Sequence, residues 1–270
     1  MRVGLVGTGE MGRPLVDRLV AAGLDVAAFA RRDDARSELE SVGVRCVETP
    51  AELAKGRGIV IVYVYSDEQV RDVVHSGGLG DAMERDSILV VHTTGSPRTV
   101  ETIQRHLEPR GAGVVDAPGS GGPQQVAQGT LTLFVGGSDE HVQRCTPLFA
   151  AYASEVVHFG GPGAGQKAKL LNNLLFGAQV ELAVQAAELS EALGIDPLLV
   201  ARTLHSCSGS SYALDLVASM GSADALIAGA GRFVHKDVVV ARAAAREAGA
   251  SLGSLESVTD AVLERTSETH

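Results

Sequence analysis

Cysteine is scarce: three residues in 270, Cys46, Cys145 and Cys207, odd in number and far apart, with no CxxC pair and no Cys/His ligand cluster. That pattern argues against a disulfide framework or a thiolate metal site, and it fits buried thiols in a reducing cytoplasm. Positive charge is also short, with 23 Lys and Arg against 33 Asp and Glu and a formal net charge of −10. Broad electrostatic binding to nucleic acid or to anionic membranes is therefore not expected, although a small basic pocket can sit in an acidic protein. Long apolar runs are missing as well. The most apolar stretch, IVIVYVY from Ile59 to Tyr65, is far shorter than the ~20 residues a membrane-spanning helix needs. VGLVG starts at residue 3 with only Arg2 ahead and soon meets glycines and Glu10, so it reads as a strand rather than a targeting segment. A soluble, cytoplasmic protein is the expectation.

What is present is alternation. MRVGLVG, LDVAAF, VRCVE, GIVIVYVY, SILVVH, GAGVVDA, TLTLFVGG and SEVVHF read as β-branched strands, most of them separated by segments of helix length. A repeated strand–helix pattern favours a parallel sheet covered on both faces, an α/β class. Thr49 before Pro50 and Ser96 before Pro97 each set a capping side chain ahead of a proline at the first helical position. After SEVVHF the pattern changes and the remainder reads as helical. A helix from near Gly165 to about Leu193 is apolar on most faces, which predicts burial all round. Asp196 and Pro197 start the next helix, and the VVV of KDVVVA sits better on a helix than in a strand. The GGPGAG turn divides the chain into expected domains at 1–160 and 161–270.

GTGEMG follows the first strand and opens a helical pattern, the context that a dinucleotide-binding turn requires. Gly7 makes the tight turn, Gly9 lets backbone approach a pyrophosphate and Gly12 lets helix pack on strand, while the helix start offers amides to the phosphates. Glu10 and Met11 belong to the same turn. The second strand ends in Ala30, Arg31 and Arg32, with no acid where an NAD site places one on the adenosine ribose. Guanidinium groups suit a 2′-phosphate, so NADP is expected over NAD. Val64, Tyr65 and Ser66 end a parallel strand and should reach the cofactor side.

In GPGAGQKAKLLNN, Lys169 and Asn173 are four residues apart and share a helix face, which Lys167 and Asn172 do not. With the fingerprint, HTTGSP, DAPGSGGPQQVAQGTL, GAGQKAKLLNN and KDVVVA in this order, the chain resembles the β-hydroxyacid dehydrogenase family over about residues 1–250. That family includes 3-hydroxyisobutyrate dehydrogenases and tartronate semialdehyde or glyoxylate reductases. The resemblance implies a Rossmann-type doubly wound domain, a helical substrate domain that makes a homodimer, and a cleft between them. By position, Lys169 resembles the catalytic lysine and Asn173 the substrate-orienting asparagine. Ser120, Gly121 and Gly122 match the loop that holds the substrate carboxylate, Thr94 the residue near nicotinamide and substrate, and Lys236 the lysine near the cofactor. His92 reads as a core or strand-end histidine, and Asp237 as a helix support.

Three departures stand out: Gly119 where valine is usual, Gly229 where many members carry phenylalanine, and the TSETH end without an Asp-x-Ser signature. The expected function is an oxidoreductase moving a hydride between NADP(H) and a small β-hydroxyacid or its semialdehyde. An imine or carbonyl reductase of the same architecture and a non-catalytic NADP-binding dimer are the competing readings. Lys169 argues against the first, and the retained SGG loop against the second.

Overall fold

A computed structural model describes residues 1–267. The last three residues of the expected helical domain, in the TSETH end, lie outside the described residues. The strands are β1 Arg2–Val6, β2 Asp25–Phe29, β3 Arg45–Val47, β4 Ile59–Val62, β5 Ile88–Val91, β6 Gly113–Asp116, β7 Gly119–Ser120, β8 Leu131–Val135 and β9 Ala153–His158. The helices of the strand-containing part are α1 Gly12–Ala21, α2 Asp33–Ser41, α3 Pro50–Ala54, α4 Asp67–Arg71, α5 Leu79–Ala82, α6 Pro97–Leu107, α7 Pro123–Gln128 and α8 Asp139–Phe149. Then come α9 Ala164–Ala192, α10 Pro197–Leu204, α11 Tyr212–Met220, α12 Ala223–Glu247 and α13 Ser254–Thr266.

Six strands form one parallel sheet in the order β3-β2-β1-β4-β5-β6. This is the doubly wound, Rossmann-like arrangement expected. The order reverses between β1 and β4, which opens a crevice at their carboxyl ends. Apolar clusters cover the two faces, one around Leu5, Leu15 and Ile61 and the other around Val60, Leu89 and Ile103. The starts expected from sequence are capped by side chains: Thr49 accepts from Glu52 N–H, Ser96 from Arg98 N–H and Asp196 from Leu198 N–H.

Two expectations need correction. TLTLFVGG and SEVVHF do not extend the parallel sheet; β8 and β9 join the two-residue β7 in a separate three-stranded sheet, with β7 antiparallel to β8. β7 is too short to carry a period. The long helix is also not buried all round. On α9, Leu171, Leu175, Leu182 and Leu189 are all exposed, and Leu193, just past its end, is 65% exposed, although Leu170, Leu174, Val180 and Ala183 enter the core of the helical part. At about 100° per residue the four exposed leucines of the helix fall in a stripe roughly 40° wide.

By compactness the chain forms two units, Met1–Lys169 and a helical unit from Leu170 onward. The KDVVVA stretch lies within α12, as its pattern suggested.

Candidate active site

A groove of about 670 Å³ opens in the first unit at the carboxyl ends of β1, β2 and β4. Gly7, Gly9, Glu10, Arg31, Val64 and Tyr65 line it, and so does Arg32. The glycines divide by cause. A β-carbon on Gly7 would stand 2.1 Å from the Tyr63 carbonyl oxygen, at φ +101°, and one on Gly12 would stand 1.8 Å from the Gly7 carbonyl oxygen. Packing of β1 against α1 and β4 thus explains both. Gly9 meets nothing within 4 Å, so the fold leaves open the space a phosphate would need, and the turn fits a dinucleotide. Met11 packs inward against the core, and helix α1 starts at Gly12.

Arg32 pairs with Asp34 at 3.3 Å, which leaves Arg31 as the groove guanidinium without a carboxylate so close. Arg13 and Glu38 also line the groove; the sequence reading assigned neither. Ser66 spends its hydroxyl on the cap of α4, accepting from Gln69 N–H. The strand-end loops after β4 and β5 are joined by Thr93, whose hydroxyl accepts from Val64 N–H and donates to Val64 O, both at 2.9 Å.

The start of α9 is fixed by residues that the sequence reading passed over. Asp116, fully buried at the end of β6, accepts Gly163 N–H with one carboxylate oxygen and Gln166 N–H with the other, each at 2.7 Å. Burial pushes its carboxyl up from the ordinary range, and these amides pull it back. The Gln166 side chain accepts from Gly95 N–H at 3.0 Å and donates to Thr93 O at 2.8 Å. One helix start is thereby tied to the β5 and β6 ends.

On that helix Lys169 and Asn173 are buried, 8% and 6% exposed. The Lys169 Nζ lies 5.8 Å from the centre of the Phe134 ring, and Phe134 stacks on Phe159. Asn173 donates to Asp237 Oδ2 at 2.9 Å and accepts from Asn172 at 3.1 Å. Asp237 also pairs with Lys236 at 2.7 Å on α12. Lys167 is exposed and lies 3.7 Å from Glu101, the solvated position its helix face implied.

In the loop after β6, Ser120 belongs to β7 and its hydroxyl has no hydrogen-bond partner among the described residues. Gly121 stands at φ +125°, which glycine alone adopts freely. The Gly122 amide is already engaged, donating to Gln125 Oε1 at 2.9 Å. Thr94 is half-buried beside Thr93. At the departures, a β-carbon on Gly119 would meet Leu131 and Leu133 at an ordinary 3.5 Å, whereas at Gly229 it would run into the Met220 methyl at 2.7 Å. His92 is a core residue: its Nδ1 donates to Ala117 O and its Nε2 accepts from Tyr152 OH at 2.8 Å.

Residues 2–161 match the family model described as the NAD binding domain of 6-phosphogluconate dehydrogenase. Residues 163–269 match the one described as the NAD-binding domain of NADP-dependent 3-hydroxyisobutyrate dehydrogenase. The chain belongs to the β-hydroxyacid dehydrogenase family. As a member it is an NAD(P)-dependent oxidoreductase, and the groove at Gly7–Gly12 is in its NAD(P)-binding domain. The mitochondrial 3-hydroxyisobutyrate dehydrogenase of Bos taurus is 31% identical over 214 residues, 79% of this chain and 64% of the bovine protein. An uncharacterised oxidoreductase of Shewanella frigidimarina is 30% identical over 216 residues, 79% of this chain and 74% of its own. Among solved structures, a Mycobacterium tuberculosis 3-hydroxyisobutyrate dehydrogenase with L-serine superposes with a TM-score of 0.88 at 25% identity, covering 99% of this chain and 94% of that one. A Streptomyces aurantiacus imine reductase, at 17% identity and a TM-score of 0.71, shares the fold.

Proposed function

We propose that this dehydrogenase moves a hydride between NADP(H) and a small β-hydroxyacid or the matching semialdehyde, with Lys169 as the general acid or base. The observation that carries this reading is the burial of Lys169 and Asn173 on one face of α9. Lysine is almost never buried without a task or a partner. The nicotinamide, when bound, supplies or accepts the hydride. Negative charge grows on the carbonyl oxygen during reduction, and Nζ of Lys169 donates a proton to it; in the oxidative direction the neutral amine takes the hydroxyl proton. Asn173 is oriented by Asp237 and keeps a second amide hydrogen for the same oxygen. Thr94, half-buried in the loop after β5, is assigned to the nicotinamide and substrate side of the site.

The substrate carboxylate is assigned to the Ser120 hydroxyl and the Gly121 amide. Gly122 joins them only if Gln125 releases its amide. L-serine, present in the M. tuberculosis structure, is itself a β-hydroxy carboxylate, which supports this class. NADP is favoured because Arg31 faces the groove with Ala30, not an acid, before it. A 26% identical protein solved in complex with NADP+ supports the same choice. We also propose that the leucine stripe on α9 is the contact of a homodimer.

The test is a panel of small hydroxyacids and their amides or methyl esters, assayed with both cofactors by nicotinamide absorbance. Carboxylates should be turned over and their neutral analogues rejected, because a site built to hydrogen-bond a group discriminates strongly against its absence. NADP(H) should bind at least about tenfold tighter than NAD(H), a charge-assisted contact being worth ~1.5–3 kcal/mol, and Arg31→Ala should erase the difference. Equal turnover of neutral substrates, or of cyclic imines, would overturn the reading.

A further inference from the structure

The amino ends of the parallel strands, at the opposite edge of the sheet from the glycine-rich turn, gather charge that the cofactor does not use. Arg45 opens β3, Asp25 opens β2, Arg2 opens β1, and Lys55, Gly56 and Arg57 lead into β4. The sheet order β3-β2-β1-β4 sets these starts side by side, and the six residues line a depression of about 320 Å³.

Arg57 is its buried floor, 5% exposed. One terminal nitrogen, Nη1, donates to the carbonyl oxygens of Val3 and Asp25 at 3.0 Å each and lies 3.7 Å from the Asp25 carboxylate. That nitrogen ties the backbone of β1 to the start of β2, beside their ladder. The buried Nε has no hydrogen-bond partner, and Nη2 has no acceptor among the described residues. Burial, and after it the neighbouring Arg45 and Arg2, hold the guanidinium below the ordinary arginine range, while Asp25 works the other way. Arg2 reaches in over Gly56, with Nη1 3.3 Å from where a β-carbon would stand. The acids present are Asp25, largely exposed, and Glu84, which accepts the Gly56 amide at 3.0 Å. Four cations therefore converge on two carboxylates, in a protein whose net charge is −10. Such convergence costs self-repulsion unless an anion offsets it.

We propose that this depression binds a small phosphate dianion, either free phosphate or the terminal monoester of a small metabolite. The Nη2 of Arg57, with no acceptor among the described residues, gives phosphate oxygens a charge-assisted donor, and Arg2, Arg45 and Lys55 line the same depression. The bound anion would bridge the starts of β1, β3 and β4 and stabilise the sheet without touching the cofactor groove.

The test titrates inorganic phosphate, and separately glycerol 3-phosphate, into the protein at fixed ionic strength, reading heat of binding and thermal unfolding. Saturable binding that raises the melting temperature is expected, since a ligand of the folded state alone stabilises it. The double variant Arg2→Gln/Arg45→Gln should bind at least about tenfold more weakly, one such charge-assisted contact being enough for that factor. Its melting temperature without phosphate should not fall, because like charges have been removed. Arg31→Ala, in the cofactor groove, should respond as the parent does. Tighter binding of the monoester assigns the metabolite source, and equal or tighter binding of inorganic phosphate the free ion. No saturable response in the parent, an unaltered response in the double variant, or loss of the response in Arg31→Ala would each overturn the proposal.

Discussion

His92 shows how one buried side chain links two loops of the site to pH. It sits 2% exposed between the Ala117 carbonyl and the Tyr152 hydroxyl, one residue ahead of Thr93 and three ahead of Ser120 by way of Ala117. A carbonyl cannot donate, so Nδ1 carries a proton, and burial disfavours a second one on Nε2, which leaves the ring neutral and Nε2 accepting from Tyr152. Burial lowers its pKa from 6.5 to about 4, with the bond to Ala117 opposing. The folded state thus binds this proton less readily than the unfolded state. Its contribution to stability is complete above pH 6.5 and is lost as pH falls toward 4, amounting to about 2 kcal/mol at pH 5. Urea unfolding at pH 7 and pH 5 should show that loss in the parent and a smaller one in His92→Gln. An identical pH dependence in both proteins would count against a neutral buried imidazole.

At the scale of elements, α9 depends on contacts made far away in sequence. Gln166, 1% exposed, joins Gly95 N–H to Thr93 O, so Gln166→Leu keeps the volume and strands both groups. Each unpaired buried group costs ~1–3 kcal/mol, so with two stranded a total loss of about 2–6 kcal/mol in unfolding free energy is expected. A leucine variant as stable as the parent would show that the bridge does not matter. The helix itself was legible from its apolar pattern and its glycine-rich entry, and Thr49, Ser96 and Asp196 announced their caps because a cap is a local event. Asp116 and Gln166 were not legible, since their partners lie about 50 and 70 residues away and neither residue type signals a bridge. The Gln125 side chain on the Gly122 amide is by contrast a local bond, three residues apart at the start of α7, and went unassigned because Gln125 was not weighed as a helix-start residue. β7 escaped for want of length. The leucine stripe of α9 was misread because composition tells how much of a helix is apolar, not which face the fold leaves uncovered.

For the whole molecule, two proposals reach beyond a single chain or a single contact. If the stripe is the dimer contact, the parent should run as a dimer by light scattering and Leu182→Glu/Leu189→Glu as a monomer, because a charge in an apolar interface is left without a partner. A monomeric parent would remove the proposal. The larger claim is that a family fold, a dinucleotide turn and the Lys169–Asn173 face together make a dehydrogenase. Its most direct test is a comparison of Lys169→Ala with Lys167→Ala, two lysines in one helical turn, in steady-state kinetics on the hydroxyacid that the parent turns over best. Loss of a general acid or base should lower kcat in Lys169→Ala by ~10²-fold or more with cofactor affinity kept, and Lys167→Ala should stay within about twofold of the parent. Full activity in Lys169→Ala, or its loss in Lys167→Ala alone, would contradict the account.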